Sequence, residues 1–220
     1  MIIAIEGIDG AGKTHVCRLL TKRLEARKVP VNLLERAAVK LGDEFSDRLL
    51  SSLRSMIWPE SSEPLSDPFG THFHLYLLAA WFVALNKYMQ LLPSTTHQIH
   101  VMDGSYFRVI AKAYLRGQLS IDWLHSLFEA APHPDLVVLL DVAPALAWKR
   151  RPTFKATELG RWDGFADSPE QSFCRYQNAI REILLKLAAK RGWTVLAQTA
   201  DSSPEQIAER VEEIVMSRLA

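Results

Sequence analysis

The chain has few cysteines, almost no net charge and no long apolar run, and each of these absences excludes a class of protein. Its 220 residues include two cysteines, Cys17 and Cys174, so we expect reduced thiols rather than a disulfide framework or a cysteine metal site. A formal net charge of +1 gives no reason to expect a nucleic-acid partner. Apolar runs stay well below the roughly 20 residues that span a bilayer, and Glu6 and Asp9 interrupt the apolar start, unlike a signal peptide. These features predict a cytoplasmic protein with no membrane partner.

The amino-acid composition of the chain is that of an ordinary globular domain. Hydrophobic residues make up 48% and charged residues 23% of the sequence, which is typical of soluble domains. A chain of this length can bury a full core. We find no internal repeat, low-complexity tract or linker, and therefore expect one domain over residues 1–220.

Short apolar runs alternate with helical patterns along the chain. The predicted strands are 2–5, 31–34, 99–102, 136–140 and 193–196. The predicted helices are 14–27, 44–57, 71–91, 105–131, 144–150, 170–191 and 203–218. Short strands that are apolar throughout, separated by helices, predict a parallel sheet covered on both faces, which is an α/β fold. Two segments rich in proline and glycine, 58–70 and 151–169, are predicted to be loops.

The segment Gly7–Thr14 fits the phosphate-binding pattern G-x-x-x-x-G-K-[ST] and lies between a predicted strand and a predicted helix. Glycines let the backbone aim its N–H groups at phosphate oxygens, and the helix N-terminus favours the same anion. The lysine can reach the terminal phosphates, and the threonine hydroxyl can bind Mg²⁺. We expect ATP to contact Gly7, Asp9, Gly10, Ala11, Gly12, Lys13, Thr14 and His15.

Carboxylates follow four of the predicted strands: Glu6, Glu35, Asp103 and Asp141. Because parallel strands in such sheets end at the same edge, where ligands bind, these acids are expected to line a cleft around the phosphate-binding loop. That arrangement suits Mg²⁺ binding and proton transfer. Asp103 is expected to help hold the metal or to act as a base towards the acceptor. The alternative is that it caps the N-terminus of the helix that begins near Ser105.

Several of these segments resemble the thymidylate kinase family of nucleoside monophosphate kinases. The resemblance is strongest over residues 3–14 and is clear again over 134–144, with Arg150 and Arg151 following. A weaker similarity covers Ala113, Tyr114 and Gly117, which follow Asp103 as the corresponding segment of the family follows its aspartate. The resemblance implies a P-loop NTPase fold, a three-layer α/β/α sandwich with a five-stranded parallel sheet, in which residues 151–169 form a lid. It also implies Mg²⁺-dependent transfer of the γ-phosphate of ATP to dTMP.

The same resemblance implies roles for individual residues. Lys13 and Asp103 would act at the phosphates and the metal, and Asp9 would face the reacting groups. Family members with glycine at the position of Gly10 take their catalytic arginine from the lid, where Arg150, Arg151 and Arg161 are the candidates and Arg161 is preferred.

The chain departs from the family pattern on the acceptor side. Gly104 stands where the family has an arginine that grips the acceptor phosphate, and Glu35-Arg36-Ala37-Ala38 replaces an Arg-Glu-Pro-Gly segment. Glycine cannot make the bidentate phosphate contacts of a guanidinium. Arg36 and Arg108 are the candidates for the missing charge. The residues expected to contact the acceptor are Glu35, Arg36, Phe73, Tyr76, Tyr106, Arg108 and Tyr114.

Three functions therefore stay open from the sequence. The first is a nucleoside monophosphate kinase of the thymidylate kinase type. The second is a related kinase with a hydroxyl acceptor, which would need a general base such as Glu35 or Asp103, although Glu35 could equally form an ion pair with Arg36 or Arg54. The third is a nucleotide-binding regulatory module. In related kinases two subunits pair through helices beside the third strand, so the apolar helix 71–91 makes a homodimer plausible.

Overall fold

The computed structural model describes residues 1–59, 67–93, 98–117, 119–151 and 153–219. The strands are β1 (Ile2–Gly7), β2 (Val31–Leu34), β3 (Ile99–Asp103), β4 (Leu136–Val142) and β5 (Thr194–Gln198). The α-helices are α1 (Lys13–Ala26), α2 (Glu44–Ile57), α3 (Thr71–Leu91), α4 (Phe107–Leu115), α5 (Ile121–Leu127), α6 (Pro144–Lys149), α7 (Pro169–Arg191) and α8 (Pro204–Leu219). Short 3₁₀ turns cover Arg36–Ala38 and Arg161–Asp163.

The described strands form a five-stranded parallel sheet in the order β2-β3-β1-β4-β5. Ile3, Ala4 and Ile5 of the central strand are all fully buried. Because successive side chains of a strand point to opposite faces, helices must cover the sheet on both sides. The predicted α/β architecture is confirmed.

One helix prediction was wrong. Residues 105–131 do not form one helix but α4 and α5. Gly117 takes a positive φ of 72° and its N–H bonds to Tyr114 O at 2.9 Å, a helix C-terminus that favours glycine. The side chain of Ser120 then accepts a hydrogen bond from Trp123 N and begins α5. The hydrophobic pattern continues across the break because both helices pack on the same core.

The register of β1 and β3 determines where the loops that follow them lie. Ile5 is the pairing partner of Asp103, and Gly104 N donates to Ile5 O at 3.0 Å. The loop after β1 and the turn after β3 therefore emerge side by side from the centre of the sheet. Open α/β sheets bind their ligands beyond such strand ends.

Residues 58–70 are described only at their ends, and positions 60–66, which include Pro64, lie outside the described residues. The segment 151–169 is irregular apart from its short 3₁₀ turn, as predicted, with position 152 also outside. Cys17 is buried and Cys174 half-buried, and both are free thiols. Among the described helices, none combines the length and apolarity needed to cross a bilayer.

Candidate active site

The loop between β1 and α1 has the shape of a phosphate cradle. Gly10 and Gly12 take positive φ values of 80° and 87°, which cost a residue with a side chain 1–2 kcal/mol or so. A Cβ on Gly10 would also lie only 3.1 Å from Ala147 O. The backbone N–H groups of Gly10, Gly12, Lys13 and Thr14 have no acceptor within the described part of the chain. Such a set of unsatisfied donors at a helix N-terminus fits a phosphate group.

Lys13 lies inside this cradle, where it is only 7% exposed. Its Nζ donates to the carbonyls of Gly7 at 3.0 Å and Ile8 at 2.6 Å. Burial lowers the pKa of Lys13 to about 8, helped by the nearby charge of Arg108 and opposed by the neighbouring carboxylates. The lysine is therefore charged below pH 8, and it is placed to contact a phosphate bound in the cradle.

Thr14 and Asp103 bring two oxygen ligands together beside the cradle. The Thr14 hydroxyl donates to Asp103 Oδ2 at 2.5 Å, joining the start of α1 to the end of β3. A hydroxyl and a carboxylate are the hard oxygen donors that Mg²⁺ prefers, and Mg²⁺ commonly takes only one or two protein ligands beside substrate phosphates. The pair therefore fits the predicted metal position, with Asp103 joined to Thr14 instead of capping α4.

Asp9 is the most heavily bonded carboxylate of the site. Its Oδ1 accepts from Arg108 Nη1 at 2.6 Å, and its Oδ2 accepts from Lys112 Nζ at 2.9 Å and Gln177 Nε2 at 3.2 Å. Burial alone would raise the pKa of Asp9, but the positive charges of Arg108 and Lys112 outweigh it and hold the pKa far below its usual range. Asp9 is thus a permanent anion that ties the loop to α4 and α7.

A second buried carboxylate, Glu6, positions the turn after β3. Its Oε1 accepts from Ser105 N at 2.7 Å and from Ser105 Oγ at 2.6 Å, while Oε2 has no partner among the described residues. Burial raises the pKa of Glu6, against the hydrogen bonds from Ser105 that lower it. Glu6 therefore fixes Ser105, and with it the direction in which the chain leaves β3 and enters α4.

A cavity of about 690 Å³ opens beside the phosphate-binding loop, between α2, α3, α4 and the lid. This volume is in the range of small-molecule sites. The polar and charged side chains at one part of its wall are Asp9, Arg36, Asp103, Arg108 and Lys112. Its apolar wall includes Trp58, Phe73, Leu75, Leu78, Trp81, Phe82, Leu85 and Met102. The cavity thus has a charged end at the loop and an apolar wall provided mainly by α3.

Four predicted acceptor residues lie outside this cavity. Tyr106 is 3% exposed, packs against Phe82 and Phe128 and has its hydroxyl 3.0 Å from His133, so its contact with an acceptor stays a prediction without support from this buried position. The ring belongs to the hydrophobic core. The others, Glu35, Tyr76 and Tyr114, are exposed and are not part of the wall.

Glu35 pairs with Arg18 at 3.2 Å, rather than with Arg36 or Arg54. Because it is exposed and lies off the cavity wall, it is not placed to take a proton from a bound acceptor. The site residues that the structure does bring together with the loop are Arg36, Phe73, Asp103 and Arg108. Arg36 lies over the ring of Trp58, 4.1 Å from its centroid.

The lid arginines are engaged within the protein in this conformation. Arg161 Nη1 donates to the carbonyls of Phe165 and Asp167, both at 2.9 Å, and to Ser172 Oγ at 3.1 Å. Arg151 pairs with Glu158, and Arg150 donates to Gln198. Arg161 does not line the cavity, and these bonds show it holding the lid to α7, so its catalytic role stays a prediction.

Sequence reasoning missed Lys112, Arg116 and Gln177. Arg116 donates to Asp163 in the lid, to Asp67 at 3.3 Å and to Thr71 at the start of α3. It thereby closes the outer end of the cavity. The available signal was the spacing of Arg108, Lys112 and Arg116, which places three cations on one face of a helix. Gln177 had no such signal, since a lone glutamine in a helix is commonplace.

His15 is exposed and lies 4.0 Å from Glu205, so it borders the loop without an established contact to it. Its predicted contact with the nucleotide stays a prediction, as do those of the other loop residues.

Comparison with known proteins places these features in one family. The family model described as "Thymidylate kinase" matches residues 5–211. The chain is 28% identical over 221 residues to a "Probable thymidylate kinase" of Archaeoglobus fulgidus, covering 100% of this chain and 96% of that protein. It is 27% identical over 223 residues to a "Thymidylate kinase" of Prosthecochloris aestuarii, covering 99% and 94%. A "Probable thymidylate kinase" of Thermococcus onnurineus is 32% identical over 153 residues, covering 68% and 70%.

Proposed function

This chain belongs to the thymidylate kinase family, and we propose that it transfers the γ-phosphate of ATP to a 5′-nucleoside monophosphate of the dTMP type. The observation that carries the proposal is the adjacency of a phosphate cradle with a buried lysine to a cavity whose near wall holds Arg108. Phosphoryl transfer needs positioning and charge neutralisation more than covalent chemistry, and the described residues supply both.

On the donor side, the free N–H groups of the loop and the N-terminus of α1 hold the phosphates of ATP, and Lys13 neutralises the terminal ones. Thr14 and Asp103 would hold Mg²⁺, and a bound Mg²⁺ would shield the charge of the reacting phosphates. Lid residues from Lys155 to Asp163 that border the cavity limit the access of water. Asp9 keeps the cations of α4 in place.

On the acceptor side, the structure favours a phosphate over a neutral hydroxyl. A hydroxyl acceptor needs a general base within reach, but Glu35 lies off the cavity and Asp103 is bonded to Thr14. An anionic acceptor needs cations, and Arg36 and Arg108 both lie on the cavity wall. The apolar wall on α3, which includes Phe73, is suited to a nucleobase.

The test is a Mg·ATP-dependent assay of ADP release across two acceptor panels. One panel holds nucleoside monophosphates, with dTMP and dUMP foremost, and the other holds nucleosides and small hydroxylated metabolites. We expect turnover with dTMP well above the blank without acceptor. Turnover confined to the hydroxyl panel would overturn the proposal, and a lack of turnover in both would argue for a nucleotide-binding module.

Position 104 offers a second test of the acceptor side. Gly104 has a φ of 77°, and a Cβ there would lie 4.0 Å from Arg108 Nη2. Gly104→Arg places a second guanidinium beside Arg108 on a strained backbone, so we expect kcat/KM for dTMP to fall roughly tenfold or more. Gly104→Ala shares the strain without the charge and is the matched control. A gain of dTMP activity in Gly104→Arg would show instead that the site merely lacks one contact.

We further propose that the protein forms a homodimer through α3. Tyr76 and Val83 are exposed by 55% and 48% and lie seven residues apart, two helical turns, on one face of that helix. A second copy of the chain would cover this apolar stripe. Sedimentation equilibrium is expected to give twice the mass of the chain, and Val83→Glu to shift it towards the monomer. A monomeric wild type would contradict this proposal.

A further inference from the structure

Helix α4 carries two cations one turn apart that face the phosphate-binding loop rather than solvent. The side chains of Arg108 and Lys112 are only 20% and 27% exposed. Both form ion pairs with Asp9, Arg108 on one carboxylate oxygen and Lys112 on the other. Holding two long cationic side chains in one place costs side-chain entropy, so the shared anion organises the pair before any ligand arrives.

The two cations share a single ion-pair partner within the part of the chain that the structure describes. Asp9 contributes one negative charge to the two positive charges of Arg108 and Lys112, and all three residues line the cavity. Glu6, Asp103 and Glu158 also lie near enough to favour the charged form of Arg108, but none of them forms an ion pair with it among the described residues. The third cation of the same helix face, Arg116, differs because it has two carboxylate partners, Asp67 and Asp163. Arg108 and Lys112, which have only one ion-pair partner between them in the described chain, are thus directed at the charged end of the cavity, where they would attract an anion.

Space for that anion lies on the adjoining turn. Gly104 has no side chain, and the nearest atom to the place where its Cβ would lie is Arg108 Nη2, at 4.0 Å. The hydrogen bond of Arg108 to Asp9 uses Nη1, so the other edge of the guanidinium faces this opening. Arginine carries five N–H donors and lysine three, which leaves donors on both side chains for phosphate oxygens.

We propose that Arg108 and Lys112 together form the clamp for the acceptor phosphate, with Asp9 as the shared anion that positions them. This rests on the proposed function and deepens it, because it assigns the acceptor subsite to a cation pair on α4. Arg36 lies on the same charged part of the wall and stacks on Trp58. The ligand class is a phosphate monoester, which is close to a dianion at pH 7. A neutral hydroxyl compound would gain nothing from the pair.

Lys112→Met tests the clamp, with Lys186→Met on the exposed face of α7 as the matched control. We expect the dissociation constant for dTMP, measured by calorimetry with Mg·ADP present, to rise about 10- to 100-fold in Lys112→Met, as for the loss of a charged hydrogen bond. The affinity for Mg·ATP and the weak binding of thymidine, followed by ligand-observed NMR, should stay within twofold. Lys112→Arg should restore most of the dTMP affinity.

The thymidine measurement separates a phosphate contact from a structural role. An equal loss for dTMP and thymidine, or an unchanged affinity for dTMP, would overturn the clamp. Lys112→Gln, which keeps a donor without the charge, replaces Lys112→Met if that variant does not fold, with the same expected loss.

The same titrations distinguish the clamp from the proposed function. Wild-type turnover of dTMP with an unaffected Lys112→Met would refute the clamp alone. Binding of a nucleoside monophosphate that depends on Lys112 but leads to no turnover would support the clamp and refute the kinase assignment. Failure of wild type to bind any nucleoside monophosphate would refute both.

Discussion

Lys13→Met is expected to lower kcat for phosphoryl transfer by roughly a thousandfold, which is the scale set by removing a preorganised group that stabilises transition-state charge. Lys13 is buried in the cradle and hydrogen-bonded to two loop carbonyls, so no neighbouring side chain of the loop can replace its charge. Methionine preserves most of the side-chain volume and avoids leaving a cavity.

Without ligand, the free energy of unfolding of Lys13→Met should be equal to or higher than that of wild type. Burial lowers the pKa of Lys13 from 10.5 to about 8, so its charged form is disfavoured in the folded state. That cost is fully present below pH 8 and disappears as the pH rises from 8 towards 10.5. Removing the charge therefore relieves the cost at pH 7, partly offset by the lost hydrogen bonds to Gly7 and Ile8.

Two measurements check these expectations: steady-state kinetics of phosphoryl transfer, and thermal unfolding with and without Mg·ATP. Lys22→Met, on the exposed face of the same helix α1, is the matched control and should behave as wild type. In wild type the affinity for ATP should weaken as the pH passes above about 8, where free Lys13 loses its proton, and Lys13→Met should lack that dependence. Turnover within tenfold of wild type would contradict the assignment of the donor site.

Asp103→Asn is expected to lower kcat about 100-fold and to raise the Mg²⁺ concentration needed for half-maximal rate. Asparagine has nearly the same shape and can still accept the hydrogen bond from Thr14, so the fold and the position of α1 should be retained. What is lost is the negative charge that attracts the metal. A titration of rate against Mg²⁺ at saturating ATP measures the effect.

Glu35→Gln is the control for this variant, since Glu35 also follows a strand but pairs with Arg18 outside the cavity. It should keep kcat within twofold of wild type. If Glu35→Gln lost activity while Asp103→Asn kept it, the metal and acceptor assignments would both be wrong, and a base after β2 would be needed. Unchanged Mg²⁺ dependence in Asp103→Asn would limit Asp103 to fastening Thr14.

The loop proposed to hold the donor phosphates could be recognised in the sequence because its signal is local. The residues of the phosphate-binding loop are consecutive, and the apolar strand before them and the helix after them are visible in the same stretch of chain. The parallel sheet was predictable for a related reason, since strands buried on both faces are apolar throughout. The break between α4 and α5 was missed because the hydrophobic pattern does not change at Gly117.

The acceptor half depends on contacts between distant residues. Asp9 meets Arg108 and Lys112 about a hundred positions along the chain and Gln177 still further. Nothing near Tyr106 in the sequence shows that it points into the core, while Arg108 two residues later points at the loop. Ser105, directly before Tyr106, is itself held by the buried Glu6, which is equally distant along the chain.

The fold class, the family and the phosphate-binding motif could be recognised from the order and spacing of neighbouring residues. Which side chains line the cavity together, and which carboxylate Arg108 and Lys112 pair with, depends on how the chain folds. The orientation of α4 on the sheet places Arg108 and Lys112 against Asp9. Glu35, after β2, instead pairs with Arg18 of α1 and is exposed. Those outcomes follow from packing and from burial of charge, which depend on residues that the sequence separates and the fold brings together.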